Sequence, residues 1–231
     1  MQGSRLRATR LAMVLAGALL VVAACGGAPP VTPTPAPATP ASALPAGTDP
    51  SRAFAPAVTF TLPDGWTNPA DTGTYFALYP AGNDLAGVHL FRDPQPASQA
   101  ETCPSTAEPG VGTLSPELSA WIRERPGLDV STPRMVTVGG LRGVELDVRI
   151  RTGWAASCPF ADGIPTVPLF VGKGGDLRWV VAGSERLRLS LLDVPGGGTV
   201  VVDIDAFAGD QWEALLGAAR PIVASMEFAT D

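Results

Sequence analysis

The chain holds one histidine, His89, and a pair of aspartates two residues apart, Asp203 and Asp205; these types and spacings bear most directly on chemistry. Any Ser-His-Asp or Cys-His mechanism would have to use His89. It stands in the apolar run Val88-His89-Leu90, and no Gly-x-Ser-x-Gly elbow supplies a nucleophile. The expectation is a packed or edge-exposed strand residue. Asp203 and Asp205 share one face of a strand over residues 199–204, which suits a calcium site or a two-carboxylate hydrolase. Val200, Val202 and Ile204 alternate with them, as Leu187, Leu189 and Leu191 alternate with Arg186 and Arg188. Pairing the two apolar faces puts both arginines beside both aspartates on a solvated face, so cross-strand ion pairs are expected at Arg186, Arg188, Asp203 and Asp205. Gly172-Lys173-Gly174-Gly175 lacks the upstream glycine and the following Ser or Thr of a phosphate loop and is expected to be a turn. No metal or organic cofactor is implied.

The cysteines divide into one and two. Arg5, Arg7 and Arg10 precede an unbroken small and apolar run over residues 11–22, which ends in Val22-Ala23-Ala24-Cys25-Gly26-Gly27. Twelve residues at about 1.5 Å each are too short to span a bilayer, so the segment is expected to be a signal peptide, residues 1–24. Its end is similar to the bacterial lipobox. That resemblance implies diacylglyceryl transfer to Cys25, cleavage before it, and a protein held by acyl chains on the extracytoplasmic face of a bacterial cell membrane. Disulfides persist in that compartment, so Cys103 and Cys158 are expected to pair, the alternative being two buried thiols. A two-cysteine metal site is disfavoured by the spacing and by the single histidine.

The net charge is −6, with 22 acidic and 16 basic side chains, and becomes more negative once the leader arginines are removed. Lys173 is the one lysine and the arginines are scattered, so neither nucleic acid nor electrostatic adhesion to anionic lipid is expected. The expected partners are the membrane, through the acyl chains, and either an envelope protein or a small ligand. Residues 25–56 are rich in Pro, Ala and Thr with no hydrophobic period, and read as a disordered stalk carrying the lipidated cysteine. Residues 57–231 suit one globular domain.

Within that domain Val58–Leu62, residues 74–79 and residues 85–91 read as strands, the last two as a hairpin. Ser115 is placed to cap a helix burying Leu118, Trp121 and Ile122. Val144, Leu146, Val148 and Ile150 alternate with charged residues in the clearest strand signal of the chain, joined through Gly139-Gly140 to Arg134–Val138. Residues 152–168 look irregular; Trp154 there either presents a platform for a ligand or partner or roofs the core. Arg178–Ala182 and residues 186–192 and 199–204 are expected to form a three-strand meander. A closing helix, with Asp210 and Glu213 as a capping box and a kink at Pro221, carries Trp212, Leu215, Leu216, Ala219, Val223 and Met226 on one stripe.

These elements describe an α+β domain: one antiparallel sheet of about seven or eight strands, mostly a meander, with one inserted helix and one C-terminal helix packed on it. Phe60-Thr61-Leu62-Pro63-Asp64-Gly65-Trp66, the Gly139-Gly140 turn and the run into Ser225-Met226-Glu227-Phe228 give the domain a form that resembles the PsbP-like group of bacterial lipoproteins. Most members of that group have no assigned activity, so the resemblance implies a fold and no reaction. The expected role is a non-catalytic binding or accessory module of the cell envelope. The alternative is a hydrolase or metal-dependent enzyme using acidic residues such as Asp203 and Asp205.

Overall fold

A computed structural model describes residues 43–175 and 177–230 of the protein. The leader, Cys25 and the densest prolines of the stalk lie outside the described residues. In chain order come β1 (Ala43–Leu44), β2 (Gly47–Pro50), β3 (Val58–Leu62), β4 (Trp66–Asp71), β5 (Tyr75–Pro80), β6 (Ala86–Arg92) and β7 (Gln95–Pro96). Helix α1 (Ser115–Arg123) leads into β8 (Leu128–Val130), β9 (Arg134–Val138) and β10 (Leu141–Ile150). Then follow β11 (Thr166–Val171), β12 (Arg178–Ala182), β13 (Arg186–Asp193) and β14 (Thr199–Ala206), before α2 (Trp212–Ala224) and β15 (Glu227–Phe228).

The strands form an antiparallel α+β domain with a nine-stranded central sheet in the order β1-β4-β5-β6-β14-β13-β10-β8, β9 also pairing with β10. Two three-stranded sheets, β12-β11-β7 and β15-β3-β2, accompany it. Both faces of the central sheet are covered. On one, Val88, Leu90, Val202 and Ile204 pack with Phe60 and Leu62 of β3 and with Trp212 and Leu215 of α2. On the other, Phe91, Leu146, Leu187, Leu189 and Val201 pack with Leu118 and Ile122 of α1 and with Leu169 and Phe170 of β11. Every residue of β14 is therefore buried.

Several expectations meet this arrangement directly. β5 and β6 form the hairpin, and β9 and β10 pair through Gly139 and Gly140, whose φ angles of 55° and 83° are the left-handed values that a tight hairpin turn requires and glycine adopts freely. Leu118, Trp121 and Ile122 are buried on α1. Ser115, however, does not cap that helix: its N–H and hydroxyl donate to the two oxygens of Asp193, at 3.0 and 2.8 Å, while Glu117 accepts the N–H of Leu114. On α2 no side chain caps the N-terminus, Ile222 rather than Val223 is buried, and the helix runs through Pro221 to Ala224.

The strand count and the meander need correction. β12 leaves the central sheet and pairs with β11 across the 172–175 turn, where the Gly175 N–H meets the Gly172 carbonyl at 2.9 Å. β11 hides in the sequence because Pro168 stands inside it; an irregularity in the register between Pro168 and Phe170 accommodates the missing donor. The domain also begins before residue 57. β1 pairs with β4 and β2 with β3, Phe54 is 3 % exposed in the core, and the Asp71 carboxylate accepts the N–H groups of Arg52, Ala53 and Phe54. Pro50 is tolerated because it closes an outer strand.

Candidate functional site

The register of β13 and β14 decides where the acidic residues go. Leu189 lies opposite Asp203, Leu187 opposite Asp205, and Arg188 opposite Ile204. A four-residue turn over 195–198 would give the pairing expected from the sequence. The turn instead takes in Val194, whose N–H donates to Gly198 O at 3.0 Å, and one extra residue moves every side chain of the partner strand to the other face. Hence the expected ion pairs do not form between these strands. Arg188 binds Asp147 of β10 through two bonds, at 2.7 and 3.0 Å, and these hold its guanidinium pKa above the ordinary value. Arg186 lies over the Trp212 ring with Glu213 at 3.7 Å.

Asp203 and Asp205 are buried on the opposite face, at 0 % and 6 % exposure, together with His89 at 2 % and Glu185 at 6 %. His89 is the direct cross-strand partner of Asp203. Its Nε2 lies 2.7 Å from Asp205 Oδ1, outside hydrogen-bond alignment, and its Nδ1 is 2.9 Å from the Tyr75 hydroxyl. From the second sheet the Trp179 indole N–H donates to Asp203 Oδ2 at 2.9 Å, while Asp203 Oδ1 has no hydrogen-bond partner among the described residues. The Ala182 N–H donates to Glu185 at 2.7 Å. Burial, then the charges of Asp205 and Glu185, push Asp203 well above the carboxylate range. Burial and Asp205 likewise push Glu185 up to about 8, and burial, with Tyr79 next, raises the Tyr75 hydroxyl. Tyr75, His89 and Asp205 stand in a row, but the row is sealed between two sheets, where a substrate atom has no approach at these exposures. Among the described residues no group of three His, Cys, Asp or Glu side chains is placed to hold a metal ion.

A second site lies open at the far side of the second sheet. A cleft of about 730 Å³ is lined by Gln99, Glu101, Cys103, Arg125, Trp154 and Ser157, with β11 from Thr166 to Pro168 as one wall. The Cys103–Cys158 disulfide ties the two loops that frame it. The β11 edge here is capped by side chains: Trp154 Nε1 donates to Thr166 O at 3.1 Å, and Gln99 Nε2 to Pro168 O at 2.9 Å. Trp154 is half-buried, so it both roofs part of the core and lines the opening. Gly127 is required beneath it, since a Cβ there would fall 2.5 Å from the indole and 2.6 Å from Val167. Arg125 donates from Nε to the Trp121 carbonyl and lies over the Trp121 ring at 4.7 Å, which fixes the guanidinium at the cleft. Its Nη2 lies 3.9 Å from Glu124.

Of the residues singled out from sequence, the structure thus joins Cys103 to Cys158, sets Trp154 on a cleft, buries His89 with both aspartates, and separates those aspartates from Arg186 and Arg188. Trp179, Glu185, Gln99 and Arg125 carried no distinguishing pattern. The one available signal was the unbroken Val200-Val201-Val202, a run expected of a strand covered on both faces.

No family model matches the chain, and no curated protein matches it. Among solved structures it is similar to PsbP (CyanoP) of the cyanobacterium Synechocystis sp. PCC 6803, at 12 % identity over 80 % of this chain and 94 % of that one, with a TM-score of 0.42. It is also similar to LpqN, involved in cell envelope biogenesis of Mycobacterium tuberculosis, at 13 % identity over 81 % and 90 %, with a TM-score of 0.38. A Bacteroides thetaiotaomicron protein matches at 11 % identity over 75 % of this chain and 46 % of that one, with a TM-score of 0.30.

Proposed function

We propose that the protein is a non-catalytic binding module, displayed outside the cytoplasmic membrane on acyl chains attached to Cys25, which takes a small ligand in the Trp154 cleft. The observation that carries this reading is the cleft itself. Its size falls in the range of small-molecule sites, its lining mixes Trp154, Val167 and prolines with the polar side chains of Gln99, Glu101 and Arg125, and a disulfide holds its rim. The Arg125 guanidinium is anchored at Nε, which leaves its outer nitrogens to meet an anionic group. The hydrolase alternative based on Asp203 and Asp205 gains no support, because both are sealed in the core.

The test is native mass spectrometry of the full-length chain extracted in detergent from its own membrane, beside the variant Ala156→Trp, which fills the cleft. A bound small molecule on the parent protein that is absent from the variant supports the proposal. An unliganded parent protein that is also not stabilised by any member of a fragment library contradicts it.

A further inference from the structure

The buried cluster around Asp203 holds more acid than its neighbours neutralise. Three carboxyl groups and one imidazole share an apolar space between two sheets. From β5 the facing titratable groups are Tyr75 and Tyr79, from β6 His89, from β14 Asp203 and Asp205, and from the 183–185 turn Glu185. Among the described residues no arginine offsets them: Arg188 turns to Asp147 on the other face, Arg186 to Trp212, and Arg178 of β12 to Ser105 and the Phe160 ring. β13 contributes Leu187 and Leu189. Even with an imidazolium at His89, three ionised carboxylates would leave a net negative charge in a space that water does not reach, so the folded arrangement has to retain protons.

The cluster also lies at a joint. The Trp179 to Asp203 bond connects β12 to the central sheet, and Glu185, through the Ala182 N–H, fastens the turn that leads from β12 back into that sheet. We propose that Glu185 and Asp203, packed beside Asp205 and His89, form a proton-controlled latch, which holds the β11–β12 pair and the 183–185 turn against the central sheet while these two carboxyl groups are protonated and lets them loosen as the protons are lost. The direction follows from linkage. Glu185 is pushed up to about 8 and Asp203 upward from the ordinary carboxylate range, so the folded protein holds protons that an unfolded chain releases. Stability from these groups is complete in acid and declines as pH rises from about 4 through about 8. This latch stands whether or not the Trp154 cleft takes a ligand.

The test is hydrogen–deuterium exchange of the full-length chain in detergent at about pH 6 and about pH 9, with the amides of β3, which packs on the opposite face of the central sheet, as the internal reference for base-catalysed exchange. Opening coupled to loss of one proton grows about tenfold per pH unit between about pH 4 and about pH 8 and levels off above that, so β12 and the 183–185 turn lose protection relative to β3. The double substitution Glu185→Gln with Asp203→Asn, which retains the indole bond and removes the titrations, keeps that protection at the higher pH. Equal pH response of β12 and β3 in the parent protein, or an unchanged response in the double variant, overturns the latch. Should the double variant fail to fold, infrared spectroscopy of the parent decides: a protonated-carboxyl band at about pH 6 that disappears by about pH 9 supports it, and absence of the band at both refutes it.

Discussion

The indole of Trp179 donates its hydrogen bond to Asp203 across the gap between two sheets, at 2.9 Å, and among the described residues it is the one hydrogen-bond partner that this fully buried carboxyl group has. Trp179→Phe keeps an aromatic ring among His89, Phe91 and Tyr75 but leaves both Asp203 oxygens unpaired. The unsatisfied acceptor should lower stability by about 1–3 kcal/mol, read as a reduced midpoint in denaturant unfolding. An unchanged midpoint would show that the bond contributes nothing.

Arg188 and Asp147 should be energetically coupled, while Arg188 and Asp203 should not. The side chain of Asp147 is 43 % exposed, so solvent screening keeps the coupling of the two-bond pair to about 1 kcal/mol or less, weakening in high salt. Double-mutant cycles with Arg188→Met measure both terms. Coupling to Asp203 in place of Asp147 would mean that β13 and β14 pair in the register suggested by alternation.

Cys103 and Cys158, 55 residues apart, staple the loop before α1 to the loop before β11. In the chain-entropy model a loop of that length is worth about 4 kcal/mol, an upper figure. Reduction should lower the melting temperature and speed exchange in residues 99–103 and 154–158 before it affects β6 or β14. Two thiols titrating in the unreduced protein would contradict the bond.

Cys25→Ala should abolish retention in the detergent phase or leave an uncleaved precursor, as detected by phase partitioning and intact mass. Normal partitioning of the variant would remove the anchor from the account.

How far the sequence could be read depended on which forces were local. The β9–β10 hairpin, the apolar stripe of α2 from Trp212 to Ala219 and the buried face of α1 follow from turn chemistry and periodicity over a few residues, and they stand in the fold as expected; past Ala219 the stripe passes to Ile222 in place of Val223. The environment of Asp203 and Asp205 depended on a single added turn residue, Val194, and on a second sheet whose central strand is disguised by Pro168. The aspartates at the end of β14 read as a wet face, and the unbroken Val200-Val201-Val202 before them was the one sign that this face meets another layer, too short to place His89 beside the acidic pair. The cleft was half legible: Trp154 and the cysteines could be marked, but Arg125 and Gln99 join them only through the tertiary path.

The most direct test of the central claim is hydrogen–deuterium exchange over residues 99–103, 125–127 and 154–158, comparing the protein extracted from its own membrane with the same protein denatured, stripped of small molecules and refolded. A ligand-binding Trp154 cleft predicts slower exchange in those three segments before stripping, with β4 and β5 unchanged. Identical uptake in both preparations, with no small molecule released on denaturation, would contradict the assignment of this cleft as the functional site.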